Sequence, residues 1–371
     1  MTASIHSSII SETMTGKLSA LRNYFNSGVT RPHAFRKRQL TLLRSALINY
    51  ENEIAAALFT DLKKSPEEVY GTESGLVLAD INLAIKKLHQ WMRPQKVSTN
   101  LVNLPSSSSI YRDPLGVTLI IAPWNYPLQL LMMPLVGAIA GGNCAVVKPS
   151  ELAPATSAIV VKIIEEIFPP EYIRVEVGDG AVVIPELMRS FRFDHIFYTG
   201  SIPVGKAIYQ KAASELIPVV LELGGKSPTI VEADANLSVS ARRIVMGKFL
   251  NAGQTCIAPD YLLAHASIKN KLIDELIKTI AEFYGEDPSV GSSYGKIINE
   301  KRFETLTNYL SQGRIIAGGQ HDKSTLYFSP TIMDNVSLDS PLMQEEIFGP
   351  ILPVFAFTDI KQAVAIIQKN P

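Results

Sequence analysis

Short apolar runs alternate with amphipathic stretches along most of the chain. Thr41 to Asp61 places Leu42, Leu43, Ala46, Leu47, Ile54, Ala55 and Leu58 near one face and Arg44, Glu51 and Asn52 elsewhere, which predicts a helix. Pro94 to Ser109 breaks the pattern: it is polar, carries the serine run Ser106 to Ser109 and holds β-prone Val97, Leu101 and Val102, as a linker or extended arm would. Beyond it, the runs Val117–Ala122, Cys144–Val147, Ile173–Val177, His195–Phe197 and Val219–Leu223 predict strands. Helices are expected between them, to about Ala140, from Pro154 to about Phe168, after Gly180 and after Gly200. Continuously apolar strands separated by helices predict a parallel sheet covered on both faces, with ligands outside the carboxyl ends of its strands. A second alternation starts near Leu223-Gly224-Gly225, with strands at Thr229–Val231 and Tyr261–Ala264 and helices at Asn236–Leu250 and Ile268–Tyr284.

Composition narrows the class. The 371 residues suit about two to three domains, and 46% hydrophobic with 19% charged residues is globular. Lysine plus arginine equals aspartate plus glutamate at 35, so no cation surplus exists for non-specific nucleic-acid binding. Leu115 to Val147 carries no charge, but Pro123, Pro127 and Pro134 break it and Trp124, Asn125, Gln129 and Asn143 sit within it. Such breaks are expensive in lipid, so the stretch reads as protein core with no membrane segment. Two cysteines give no disulfide framework, and Met1–Ser11 lacks a secretory pattern, so a cytoplasmic enzyme is expected.

Several strand ends carry polar residues. Asn125, between Pro123 and Pro127, is either a turn asparagine or a fixed amide donor. Lys148-Pro149-Ser150-Glu151 is a solvated loop or a cation and anion for ribose hydroxyls, and Gly200-Ser201 to Gly205 joins a strand to a helix where amides favour a phosphate. Glu222 lies in an apolar strand end, as a buried ion-paired carboxylate or as a general base raised by desolvation. Cys144, among alanines and valines, reads as a small hydrophobe; Cys256, in Gly253-Gln254-Thr255-Cys256, reads as an accessible thiol suited to nucleophilic attack. The 6 histidines show no metal-ligand spacing, and no metal site is expected. Gly291-Ser292-Ser293-Tyr294-Gly295 matches G-x-S-x-G but follows Glu286-Asp287-Pro288-Ser289 and reads as a surface loop.

These segments, with Phe197-Tyr198-Thr199-Gly200-Ser201, Leu221-Glu222-Leu223-Gly224-Gly225-Lys226 and Glu345-Glu346-Ile347-Phe348-Gly349-Pro350, resemble the aldehyde dehydrogenase superfamily from about residue 15 to the end. Tyr111-Arg112-Asp113-Pro114-Leu115-Gly116 and the short N-terminus look most like the class 3, fatty-aldehyde branch. The resemblance implies an α/β fold of two doubly wound parallel-sheet domains with a small β oligomerisation arm. The dinucleotide-binding domain would be 1–90 and 113–222, the catalytic domain 223–371 and the first part of the arm 91–112. It implies oxidation of an aldehyde, medium- or long-chain aliphatic or aromatic, to an acid: Cys256 attacks, Asn125 and the Cys256 amide hold the oxyanion, and Glu222 activates water on the thioester. Trp124, Lys148, Glu151, Gly200, Ser201, Gly205, Glu346 and Phe348 would face the cofactor. That cofactor is NAD first, since Glu151 repels a 2′-phosphate, with NADP also open. A homodimer is implied for the full chain.

The sequence stops at Asn370-Pro371 without the family's closing strand, so a truncated chain of weak activity is expected. A coenzyme A-acylating dehydrogenase and a non-catalytic dinucleotide-binding fragment are the alternatives, and a serine hydrolase built on Ser293 is the remotest.

Overall fold

The computed structural model describes residues 2–291 and 293–369. It forms two compact units: Met1–Ala57 with Val69–Glu222, and Leu58–Glu68 with Leu223–Pro371. The helix expected over 41–61 is two helices, His33–Asn49 and Glu51–Leu62, separated at Tyr50 (φ −97, ψ 12). Polar residues crowd the junction. Glu51 and Glu53 in the first turn of the second helix complement its dipole and favour a fresh start there.

In the first unit, β1 (Gln95–Val97) and β2 (Ser108–Ile110) form an antiparallel ribbon with Gln95 opposite Ile110. Leu101 and Val102 are not in strands. The Asn100 side chain accepts from Val102 N at 3.3 Å and starts a tight turn that leaves both residues more than 80% exposed, at 82% and 88%.

The main sheet of this unit is β3 (Val117–Ile121), β4 (Cys144–Lys148), β5 (Ile173–Val175), β6 (His195–Gly200) and β7 (Val219–Leu223), in the order β5-β4-β3-β6-β7. β3 pairs in parallel with both β4 and β6, and β4 with β5. β3 and β4 are buried at every residue because helices cover both faces of the sheet's centre. β7, on the edge, is alternately half-buried and exposed. One lock ties β3 to β6: Asp194 accepts from Val117 N at 2.7 Å and pairs with Arg22 at 2.5 Å. Gly116, at φ +142, makes room for that carboxylate, since a Cβ there would lie 1.9 Å from Asp194 Oδ2.

The second unit contains β8 (Pro228–Val231), β9 (Tyr261–His265), β10 (Arg314–Ala317), β11 (His321–Asp322), β12 (Tyr327–Phe328), β13 (Thr331–Asp334) and β14 (Ile351–Phe357). Its sheet has the order β10-β13-β14-β9-β8. The pairs β8–β9, β9–β14 and β13–β14 are parallel, while β10 runs antiparallel to β13. The sheet is therefore mixed. The chain returns from β10 to β13 through the small β11–β12 hairpin rather than a crossover helix, and a short return of that kind reverses direction.

Ser293 is exposed in a loop with no strand before it. The ending Asn370-Pro371 and Ser292 lie outside the described residues. Among the described residues, no helix is long and apolar enough to cross a membrane.

Replacing Gly116 by alanine should destabilise the protein by about 2–4 kcal/mol, because the new Cβ collides with the Asp194 carboxylate and the backbone is left-handed there. Denaturant unfolding of Gly116→Ala against the parent chain measures this.

Candidate functional site

Parallel pairing puts the carboxyl ends of β3, β4, β5 and β6 at one edge of the first sheet. Asn125 follows β3 and is buried, 3% exposed, with Trp124 half-buried beside it. The loop is anchored from below. Leu128 N and Gln129 N, at the start of helix Gln129–Gly141, both donate to Glu73 Oε2 at 3.0 Å. Glu73 is fully buried and comes from the wide π turn Tyr70–Ser74. A remote carboxylate thus caps a helix whose own N-cap residue, Leu128, supplies no side-chain bond.

Lys148 ends β4. A solvated loop would leave it in water, yet its side chain is only 3% exposed; its Nζ donates to Pro149 O at 3.1 Å and pairs with Glu151. Glu151 Oε1 accepts from Gly180 N at 3.1 Å. Burial works against ionisation of Glu151, but the bonds from Lys148, its own amide and Gly180 outweigh it and hold the carboxyl below its usual range. Gly200 ends β6, Ser201 is the N-cap of helix Ile202–Ala213 without using its side chain, and Gly205 is buried in the first turn with Pro203 near the helix start. This edge presents helix amides beside a rigid carboxylate.

Glu222 departs from expectation. It is exposed, not buried in an apolar strand end, because β7 is the edge strand and only alternate residues turn inward. The burial that the general-base reading relied on is not found at this position.

In the second unit the candidate residues sit at the amino ends of parallel strands: Gly224 and Gly225 before β8, Cys256 before β9, and Glu346 and Phe348 before β14. Cys256 is half-buried, whereas Cys144 is fully buried and its thiol is pushed up to about 12 by desolvation. The turn that leads into Cys256 is strained: Asn251, Ala252 and Gly253 have φ of 51°, 51° and 75°. Four hydrogen bonds hold it. Asn251 N donates to Glu68 Oε1 at 2.8 Å, while buried Gln254 donates to Asn251 O and Lys296 O and accepts from Ile298 N, each at 3.0 Å. Gly253 lies directly on Gly349, where a Cβ would come 2.4 Å from the Gly349 carbonyl oxygen.

That contact places the cysteine loop beside the segment bearing Glu346 and Phe348. Glu346 lies under Gly224, with its Oε2 1.9 Å from where a Cβ on Gly224 would be. Desolvation, reinforced by Asp260, pushes its carboxyl up to about 7 against the pull of the Gly225 amide, Arg302 and Lys248. Around it are charged residues that the sequence reading did not single out. Asp260 pairs with Lys226 at 2.5 Å, both nearly buried. Lys248 is fully buried with no hydrogen-bond partner among the described residues, and desolvation lowers it to about 8. Burial also lowers Lys226 and Arg302. The available signal was a lysine in the otherwise apolar run Val245-Met246-Gly247-Lys248-Phe249-Leu250. Glu73 and Arg302 left no comparable trace, since both act across long stretches of sequence.

The chain matches known proteins over most of its length. The family described as the aldehyde dehydrogenase family matches residues 18–371. A Staphylococcus aureus protein named 4,4'-diaponeurosporen-aldehyde dehydrogenase is 46% identical over 350 residues, covering 94% of this chain and 76% of that protein. A dog protein named aldehyde dehydrogenase, dimeric NADP-preferring, is 42% identical, covering 94% of this chain and 77% of its own. A solved Staphylococcus aureus structure, described as the substrate-bound state of AldH, superimposes with a TM-score of 0.92 at 45% identity, covering 96% of this chain and 78% of that one. The chain therefore belongs to the aldehyde dehydrogenase family, in its family 3 group.

Proposed function

We propose that the protein oxidises an aliphatic or aromatic aldehyde to its carboxylic acid through a covalent adduct on Cys256. The observation that carries this reading is the backbone contact of Gly253 with Gly349, which sets the cysteine loop beside the Glu346–Phe348 segment within one unit. In this reading residues 1–90 and 113–222 bind the dinucleotide, 223–371 carry the catalytic cysteine, and the 91–112 ribbon is an oligomerisation arm that supports a homodimer.

The Cys256 thiolate adds to the aldehyde carbon, and the new oxyanion is held by the Asn125 amide and the Cys256 N–H. One such donor is worth about a hundred- to a thousand-fold in rate. NAD(P), held by the residues named below, would supply the hydride acceptor for oxidation to the Cys256 thioester. Glu222 takes a proton from water so that the oxygen attacks the thioester carbon, releasing the acid and returning the thiol. Its exposure suits access of that water, so the role rests on position at the strand end rather than on a desolvated carboxyl.

The residues present fit a dinucleotide. Glu151, held by Lys148 and Gly180 with its side chain 37% exposed, accepts ribose hydroxyls. Gly200 and Ser201 lead into helix Ile202–Ala213, whose free first-turn amides face a pyrophosphate, while the Gly205 amide is itself engaged by Ser201 O at 3.0 Å and Trp124 lies in the loop after the neighbouring β3. Glu346 and Phe348 take the nicotinamide-ribose side. The Glu151 carboxylate favours NAD over the extra phosphate of NADP.

Cys256→Ala should bind NADH normally yet give no burst of NADH when mixed with aldehyde and NAD; a normal burst removes Cys256 from the reaction. Glu222→Gln should keep the burst while steady-state turnover falls about a hundred-fold or more, as loss of a general base in deacylation requires. Acid, not acyl-coenzyme A, is the product expected from the parent chain. Glu151→Gln should shift the ratio of kcat/KM for NADP over NAD upward by about ten-fold, since one repelling charge near a partly exposed phosphate is removed. Paired kinetics with both cofactors measure that ratio.

A further inference from the structure

The segment Glu345–Phe348 turns four successive carbonyls toward cationic side chains. Lys226 Nζ takes Glu345 O at 2.7 Å and also Leu342 O at 2.6 Å. Arg302 takes the next three: Nη2 donates to Glu346 O at 3.0 Å and to Ile347 O, and Nε donates to Phe348 O at 3.4 Å. On the amide side, Ile347 N donates to Asp260 Oδ1 at 3.0 Å, and the other oxygen of Asp260 pairs with Lys226. The front of the segment is gripped by the Lys226–Asp260 pair and the back by one guanidinium.

That grip meets a specific need. Phe348 has φ +46, a left-handed conformation that a bulky residue adopts only when its surroundings hold it there. Arg302 is suited to the task because its own backbone is fixed. Its N–H donates to the Asn299 side chain at 2.9 Å in the first turn of helix Glu300–Tyr309, and Phe303, Leu306 and Tyr309 bury that helix. Its planar fork spreads donors along the chain from Glu346 O to Phe348 O, a span that suits a guanidinium better than the compact ammonium of a lysine.

We propose that Arg302 is a positioning residue that pins the strained Glu346–Phe348 turn in the conformation that presents Glu346 and Phe348 to the dinucleotide. The pinning is independent of chemistry at Cys256; its consequence for the cofactor rests on the reading that Glu346 faces the nicotinamide ribose.

The test uses the full chain with Arg302→Met, Arg302→Lys and Glu346→Gln, read by hydrogen–deuterium exchange and by NADH fluorescence titration. Both Arg302 variants should exchange at least about ten-fold faster over residues 345–349 while β9 stays as protected as in the parent, and both should bind NADH more weakly. Arg302→Lys, which keeps the charge and much of the packing, guards against a variant that does not fold, and it should fail to restore protection. Unchanged exchange over 345–349 in either folded variant overturns the proposal. So does faster exchange spread equally over β9, which marks Arg302 as a general structural residue. Glu346→Gln separates the two ideas: it should leave exchange at the parent level and weaken NADH binding. Parent-like NADH binding by Glu346→Gln would sink the ribose assignment alone, with the exchange of the Arg302 variants still deciding the pinning.

Discussion

The second unit is organised around a place where two backbones touch with no side chain between them. Gly253 rests on Gly349 so closely that any β-carbon would enter the carbonyl. The contact brings two strained segments together, left-handed at 251–253 and again at Phe348. Neither conformation is favourable alone, and each is held from outside by polar side chains: Glu68 and Gln254 on one side, Lys226, Asp260 and Arg302 on the other. Strain of this kind costs about 1–3 kcal/mol per residue and persists where the surrounding bonds over-determine the backbone.

The buried charges follow from the same need. Backbone carbonyls that face inward in an irregular loop must find donors, and there is no neighbouring strand to supply them. Lysine and arginine side chains meet that need, but each brings a charge that must be balanced. Asp260 and Glu346 balance part of it, and the cost of burial shows in Glu346, raised to about 7 chiefly by desolvation, and Lys248, lowered to about 8 by the same cause. In the first unit the logic is inverted: there the orphans are helix amides, and the carboxylates of Glu73 and Glu151 receive them.

Much of the framework was legible from apolar runs. Val117–Ile121 and Cys144–Lys148 are continuous because both faces are covered, and the runs chosen for the first sheet form its strands. The parts that escaped depend on neighbours distant in sequence. Periodicity cannot reveal that β7 is an edge strand, so Glu222 was expected in the core. A hydrophobic stripe can continue in phase across Tyr50 while the backbone breaks, and the reversal of β10 depends on a hairpin of two short strands with little pattern. At the site, the motif residues announced themselves through composition. The groups that hold them did not, because Glu73 reaches Leu128 and Arg302 reaches Ile347 only after the chain has folded.

The π turn at Tyr70–Ser74 has a bearing on which sequence changes the fold can absorb. A turn closed five residues apart contains one residue more than an α turn, and everything beyond it is rotated by about 100° relative to an uninterrupted helix. Val77, Ile81, Ala84 and Leu88 are buried on the far side of that turn, so their inward face is set in phase with the extra residue. A one-residue deletion here would restore regular helical bonding, yet it would swing those four side chains and Glu73 out of register with what lies before them. The wide turn is thus a frame-keeping device. Substitutions within it are local matters, whereas a change in its length rewires the support beneath Asn125.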